Sequence, residues 1–171
     1  MWVFDATPLI YLAKVEHLRL ASTLAGNCYI PEQIHSEVVS TDLEEGYPDA
    51  RRIEQCIDDG YFEVISLPES TLATRLQEHP KLSAADIAVL ACADSRDTVA
   101  VMDERLGRTV AAVEGIETRG TAYLVLRAVK NGTLTVSEAR QIIDSLVEEG
   151  WYCSPAMYTK IVRKLESLHS E

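Results

Sequence analysis

Carboxylates recur in this chain where apolar runs end. Asp5 follows MWVF in FDATPLIYL, and Asp103 follows VAVM in VAVMDERLGR. Asp86 sits in LSAADIAVLACAD, at the rim of a helix whose next residues, Ile87 to Ala93, are all apolar or small. Glu37 lies in IPEQIHSEVV, where about 100° per residue sets it beside Ile34 and Val38 on the apolar stripe. Each acid has an ordinary explanation alone. Asp5 and Asp103 could cap helices, Asp86 has Ser-x-x-Asp spacing from Ser83, and Glu37 could reach solvent from the flank of its helix. Together, four acids at strand ends or at the edges of buried helices form a pattern that independent caps would rarely produce. A cluster of like charges repels itself unless a cation joins it, and hard ions such as Mg²⁺ or Mn²⁺ take oxygen ligands of this kind. Such an ion acidifies bound water and neutralises developing negative charge. Glu104, beside Asp103, is either a supporting acid at that site or a first-turn glutamate favoured by the helix dipole.

Elements must bring those acids together. MWVF is followed by a helical pattern from about Pro8 to Leu24, CYI by one from Pro31 to Ser40, and a helix over 49–58 precedes YFEVIS. Helices near 69–78 and 84–94 lead to the strand TVAVM, a helix near 104–112 and an extended piece over 116–118. Short runs rich in Val, Ile, Tyr and Phe alternating with helices predict a parallel sheet covered on both faces. Pro8 is expected to push Thr7 out of helical geometry and make it the N-cap, leaving Asp5 at the carboxyl end of the first strand. Open parallel sheets bind their ligands at that edge.

From Gly120 onward no strand signal remains. Three helices are punctuated by Asn131-Gly132 and Gly150, Thr135 to Glu138 has capping-box spacing, and Ser154-Pro155 reads as an N-cap followed by proline. The last helix puts Tyr158, Ile161, Val162, Leu165 and Leu168 on one face. The chain is therefore divided into a domain over 1–130 and a helical extension over 131–171, packed on the sandwich or on a second subunit in a homodimer.

The 16 basic residues are outnumbered by 27 acidic ones, for a net charge of −11, so a broad phosphate-binding surface is excluded and any nucleic-acid contact must be local. The candidates are Arg105, Arg108 and Arg119 beside the acids, joined by Lys160, Arg163 and Lys164 if the tail folds over the site. Four widely spaced cysteines without CxxC or a neighbouring His read as buried thiols. Neither GxGxxG nor GxxxxGK[ST] occurs, and no histidine has a serine or cysteine at a telling spacing. With no apolar leader and no membrane-length apolar stretch, the expectation is a soluble protein of the cytoplasm.

The four acids, in FDATPLIYL, IPEQIHSEV, LSAADIAVLACA and VAVMDERLGRTVAAVEGIETRGT, resemble over about residues 1–125 the PIN-domain family of metal-dependent ribonucleases, which includes toxins of toxin-antitoxin pairs. The resemblance implies a three-layer α/β/α sandwich with a central parallel sheet, an acidic pocket holding one or two Mg²⁺ or Mn²⁺ ions, and hydrolysis of RNA. Asp5, Asp86 and Asp103 would bind metal, and Glu37 would be a ligand or would orient the attacking water. Thr7 would support the site through its hydroxyl, and Glu104 would fill the place where some members carry a further acid. A toxin-type role would bring an antitoxin-like protein partner. The extension departs from the compact toxins and looks like longer predicted nucleic-acid-binding members. Two rivals are an inactive PIN-like module that binds RNA or protein, and a phosphatase using Asp5 as nucleophile. The second lacks an acid two residues on, where Thr7 stands.

Overall fold

Short runs of β-branched and aromatic residues become strands in a computed structural model that describes residues 1–41 and 45–169. They are β1 (Trp2–Phe4), β2 (Cys28–Pro31), β3 (Glu63–Ile65), β4 (Val99–Val101) and β5 (Thr118–Arg119). The sheet order is β3-β2-β1-β4-β5 with every pair parallel, and helices cover both faces, giving the expected α/β/α sandwich. The chain builds outward from β1 in one direction through β2 and β3, then returns to place β4 and β5 on the other side. That reversal puts the crevice between β1 and β4, which are in register at Phe4 and Val101.

The helices are α1 (Ala6–Lys14), α2 (Leu20–Ala25), α3 (Glu32–His35), α4 (Pro48–Asp58), α5 (Thr71–Gln77), α6 (Ala84–Ser95) and α7 (Arg105–Val113). Helix α8 (Thr121–Lys130) follows, and the region expected as the extension adds α9 (Val136–Glu148) and α10 (Pro155–His169). α6 is buried from Asp86 through Ala93 and packs against β1, β2 and β4, where its small residues Ala88, Ala91 and Ala93 permit close approach to the sheet. An edge-to-face pair, Phe4 on Phe62 at 5.3 Å, closes the sandwich elsewhere. Burial pushes the thiols of Cys28 and Cys92 up to about 12 and about 11, so both are inert packing groups.

Three local expectations are corrected. Asp5, not Thr7, is the N-cap of α1, because a proline in the first helical turn gives up an N–H that has no intrahelical partner, so the helix begins before Pro8. The helix expected over 8–24 is two helices. Glu16 adopts a left-handed φ of 61° between them, which lets Leu18, Leu20 and Ala21 turn inward, while Arg52 donates to the carbonyl of Ala13 at 3.0 Å. The helix expected over 31–40 is α3 followed by a π-helical stretch, Ser36–Thr41. The wider turn changes the angular spacing, and Glu37, expected on the inward flank, is exposed.

A second hydrophobic core lies beyond the sandwich, built from Val125, Ile142, Ile143, Leu146, Trp151, Ile161 and Leu165. Helix α8 belongs to both cores, since Leu124 packs into the first and Val125 into the second. Ile161 and Leu165 are thus buried within the chain's own second core. Among the described residues, no helix is long and apolar enough to cross a membrane. Residues 170 and 171, the end of the predicted extension, lie outside the described residues.

Candidate active site

Asp5 leaves β1 at the crevice. Its N–H donates to the carbonyl of Val101 at 2.9 Å, and its Oδ1 accepts from the N–H of Ala6 at 2.8 Å. The side chain therefore ends the strand and starts the helix, which fixes it in place. It is only 6% exposed, and burial pushes its carboxyl up to about 7 against the lowering effect of the Ala6 bond. The charges of Asp86, Glu104 and Glu37 raise it further.

Asp86 reaches the same region from α6. It forms the predicted capping box: Ser83 Oγ accepts from the Asp86 N–H at 3.1 Å, and Asp86 Oδ2 accepts from the Ser83 N–H at 3.0 Å. One carboxylate oxygen is committed to the cap. Glu37 acts on Asp5 from the exposed π-helical turn, and Glu104 from the exposed N-cap position of α7, where its side chain makes no capping bond.

Asp103 has other partners. Its Oδ1 accepts from the Thr121 N–H at 2.7 Å, and its Oδ2 accepts from Thr121 Oγ1 at 2.7 Å and from the Trp151 indole N–H at 3.1 Å. Gly120, the N-cap of α8, has no side chain to offer, so Asp103 caps that helix from across the chain. A Cβ on Gly120 would stand 2.9 Å from both Asp103 Oδ1 and Arg108 Nη1, so the missing methyl leaves room for this arrangement. Thr121 is fully buried and Trp151 nearly so. Asp103 thus ties the end of β4 to the start of α8 and to the turn before α10.

Oxygen donors of the kind that a hard cation takes stand at this edge. Asp86, Glu104 and Glu37 are oxygen donors whose charges act on Asp5, and none of the four is in an ion pair among the described residues, where the four pairs found use other acids. Among the described residues, no three acidic, histidine or cysteine side chains are close enough together to hold a metal ion as they stand.

Beside the acids opens a groove of about 940 Å³, bounded on the sandwich side by Thr7, Asp103 and Glu104 and on the other by the extension. Five of the six expected cations line it: Arg105, Arg108, Arg119, Lys160 and Lys164. Arg163 does not, and points to solvent. Sequence reasoning missed Thr121 and Trp151, which lie far along the chain from Asp103, and the groove's aromatic residues Tyr11, Tyr123 and Tyr152. The one available signal was a tryptophan after the Gly150 break, a large ring in a turn that has to find a polar partner for its N–H.

A family model, DUF3368, described as a PIN domain, matches residues 1–167 and so runs through the extension as well as the sandwich. No curated protein matches the chain.

Proposed function

Because the chain belongs to the PIN-domain family, whose members are generally nucleases, we propose that it is a divalent-metal-dependent endoribonuclease that hydrolyses RNA phosphodiesters at the carboxyl edge of its sheet. Asp5 carries the proposal: a buried carboxylate, pushed up to about 7 and surrounded by the charge of three other acids, has no cation partner among the described residues. Its charged form is costly until a cation arrives.

Asp5 and Asp86 would hold Mg²⁺ or Mn²⁺, each oriented by a backbone N–H that keeps one oxygen in place. Glu37 and the Asp103–Glu104 pair complete the set of acids. When bound, the ion supplies charge neutralisation on the phosphate and makes water easier to ionise. Glu37, exposed on its π-helical turn, accepts the proton as the water oxygen forms its bond to phosphorus. The bridging P–O bond breaks, and the leaving oxygen takes a proton from solvent water. Thr7 sits in the groove wall beside the acids, where its hydroxyl can meet the strand.

The test compares the wild-type chain with D5N on a labelled RNA, with Mn²⁺ and with EDTA, beside a thermal-shift titration with Mn²⁺. The expected result is cleavage and stabilisation by Mn²⁺ in the wild type and neither in D5N. Cleavage by D5N at the wild-type rate removes the acid site from the chemistry. A wild-type chain that neither cleaves nor responds to Mn²⁺ is the inactive binding module instead.

A further inference from the structure

We propose that the two adjacent acids after β4 divide their work: Asp103 fastens the C-terminal helices to the sheet edge, and Glu104 is the acid that this strand end supplies to a metal ion. The family resemblance implies the reverse, with Asp103 on the metal and Glu104 in support. The role of Glu104 rests on the nuclease proposal, while that of Asp103 rests on hydrogen bonds alone.

Asp103 has little left to offer an ion. A carboxylate has about four lone pairs, and three are taken. Oδ2 accepts from Thr121 Oγ1 at 2.7 Å and from the Trp151 indole N–H at 3.1 Å, and Oδ1 accepts from the Thr121 N–H at 2.7 Å. Hydrogen bonds to an ionised acceptor are the strong ones. The donors cannot follow the carboxylate if it turns, because Thr121 is fully buried in the first turn of α8 and Trp151 is packed into the second core. Arg108 Nη1 and Asp103 Oδ1 both lie 2.9 Å from the point where a Cβ on Gly120 would stand, so a cation is already near the oxygen that keeps a lone pair.

Glu104 is free where Asp103 is held. It is exposed, its side chain makes no capping bond, and it is in no ion pair among the described residues. Its backbone is extended, at φ −65° and ψ 131°, and neighbours in an extended chain project to opposite sides, so the strand end does not aim both carboxylates at one place. Asp103 is turned to Thr121, and the charge of Glu104 reaches Asp5, as do those of Asp86 and Glu37. Among the described residues no three acids stand close enough together to hold an ion, so loading requires a side chain to move. A long exposed glutamate moves at little cost. Asp103 would first have to leave three donors.

The experiment is titration calorimetry with Mn²⁺ on the metal-free protein at pH 8, beside thermal melts of the same samples. E104Q should weaken Mn²⁺ by more than the roughly tenfold that loss of an outer partner of a metal ligand can cost. W151F and T121V each remove one donor from Asp103 and keep the side chain's bulk. Both should melt roughly 4–8 °C below wild type and hold Mn²⁺ within about threefold of it, the size of a distant or exposed polar effect. D103N should melt lower still, since its amide N–H groups face donors, and W151F and T121V decide the matter if it does not fold. Melting of both donor variants at the wild-type temperature overturns the fastener. Loss of Mn²⁺ in them equal to that in E104Q makes Asp103 a ligand and overturns the division. If E104Q binds Mn²⁺ like wild type while D5N does not, the division fails and the nuclease site stands. If D5N keeps the ion and E104Q loses it, Asp5 fails and Glu104 stands. A wild type that takes up no Mn²⁺ overturns the metal site and the role of Glu104 together.

Discussion

The sheet edge beside the groove and the last helix across from it carry opposite charge, and they hold it in opposite ways. On the sandwich side Asp5 and Asp86 are buried and locked by backbone bonds, each at the first turn of a helix. On the extension side Lys160 and Lys164 stand exposed on α10, held only because Ile161 and Leu165 of the same helix are packed into the second core. The acids are expensive to keep and hard to move, as the proposed metal site requires. The lysines cost little and can shift with their side chains, which suits a long, flexible polyanion. Asp103 sits between the two regimes, an acid of the sheet edge that accepts from Thr121 at the start of α8 and from Trp151 in the extension.

The largest effect that could break this contrast is D5N. Cleavage should fall by about 10³-fold, the several kcal/mol that metal-assisted charge neutralisation supplies. The Asn Oδ1 can still accept the Ala6 N–H, so α1 keeps its cap. Stability should move the other way. The Asp5 carboxyl is raised from 3.8 to about 7 in the fold, so its favourable contribution is fully present below about 3.8 and is lost as pH rises through 7. Metal-free wild type should therefore lose stability between pH 5 and pH 8, by no more than about 3 kcal/mol, and D5N should show a flatter profile in urea melts at the two pH values. Mn²⁺ needs the ionised acid, so its stabilisation of wild type should be greater at pH 8 than at pH 6. A metal-free protein whose stability rises over that range would mean that Asp5 is already compensated.

The same contrast explains what could be read in advance. The sheet, its parallel sense and the acids at its edge were legible because each rests on local rules: apolar runs that end in Asp, a Ser-x-x-Asp cap, a helix apolar all round. The place of Asp5 in the crevice follows from β1 pairing with β4, which those rules allow but do not dictate. Glu37 was misjudged because a π-helical turn breaks the 100° arithmetic without leaving a mark in composition. The Asp103 network was invisible, because Thr121 and Trp151 reach it only after α8 has packed on two cores at once. The groove was foreseen in its cations and missed in its rings, since a tyrosine in an amphipathic helix or a turn looks like any packing residue until the walls are assembled.

Next in size is the split between the neighbours Asp103 and Glu104. W151F keeps most of the ring's volume and removes one donor from a carboxylate, a loss of about 2 kcal/mol that should lower the melting temperature by roughly 4–8 °C in a chain of this size. E104Q removes a charge that acts on Asp5 from an exposed position, so it should leave the metal-free melting temperature within about 2 °C while weakening the response to Mn²⁺. Titration calorimetry with Mn²⁺, run beside thermal melts, reads both. If W151F weakens Mn²⁺ binding as much as E104Q does, Asp103 is a ligand positioned by the extension and not only its anchor.

The smallest effect probes the point where the walls meet. Gly120 has φ −101°, open to alanine without backbone strain, so G120A acts only through its methyl, 2.9 Å from Arg108 Nη1 and from Asp103 Oδ1. The two neighbours can yield to different degrees. Arg108 is exposed and its guanidinium can swing into the groove, whereas Asp103 moves only by stretching its bonds to Thr121. The cost should be about 1 kcal/mol and should fall on the Asp103 side. R108A/G120A should then be no more stable than G120A, with a coupling below about 0.5 kcal/mol in urea melts. Rescue of stability by R108A would place the clash on the arginine instead, and would mean that the cation next to the acids is held by the fold as firmly as the acids are.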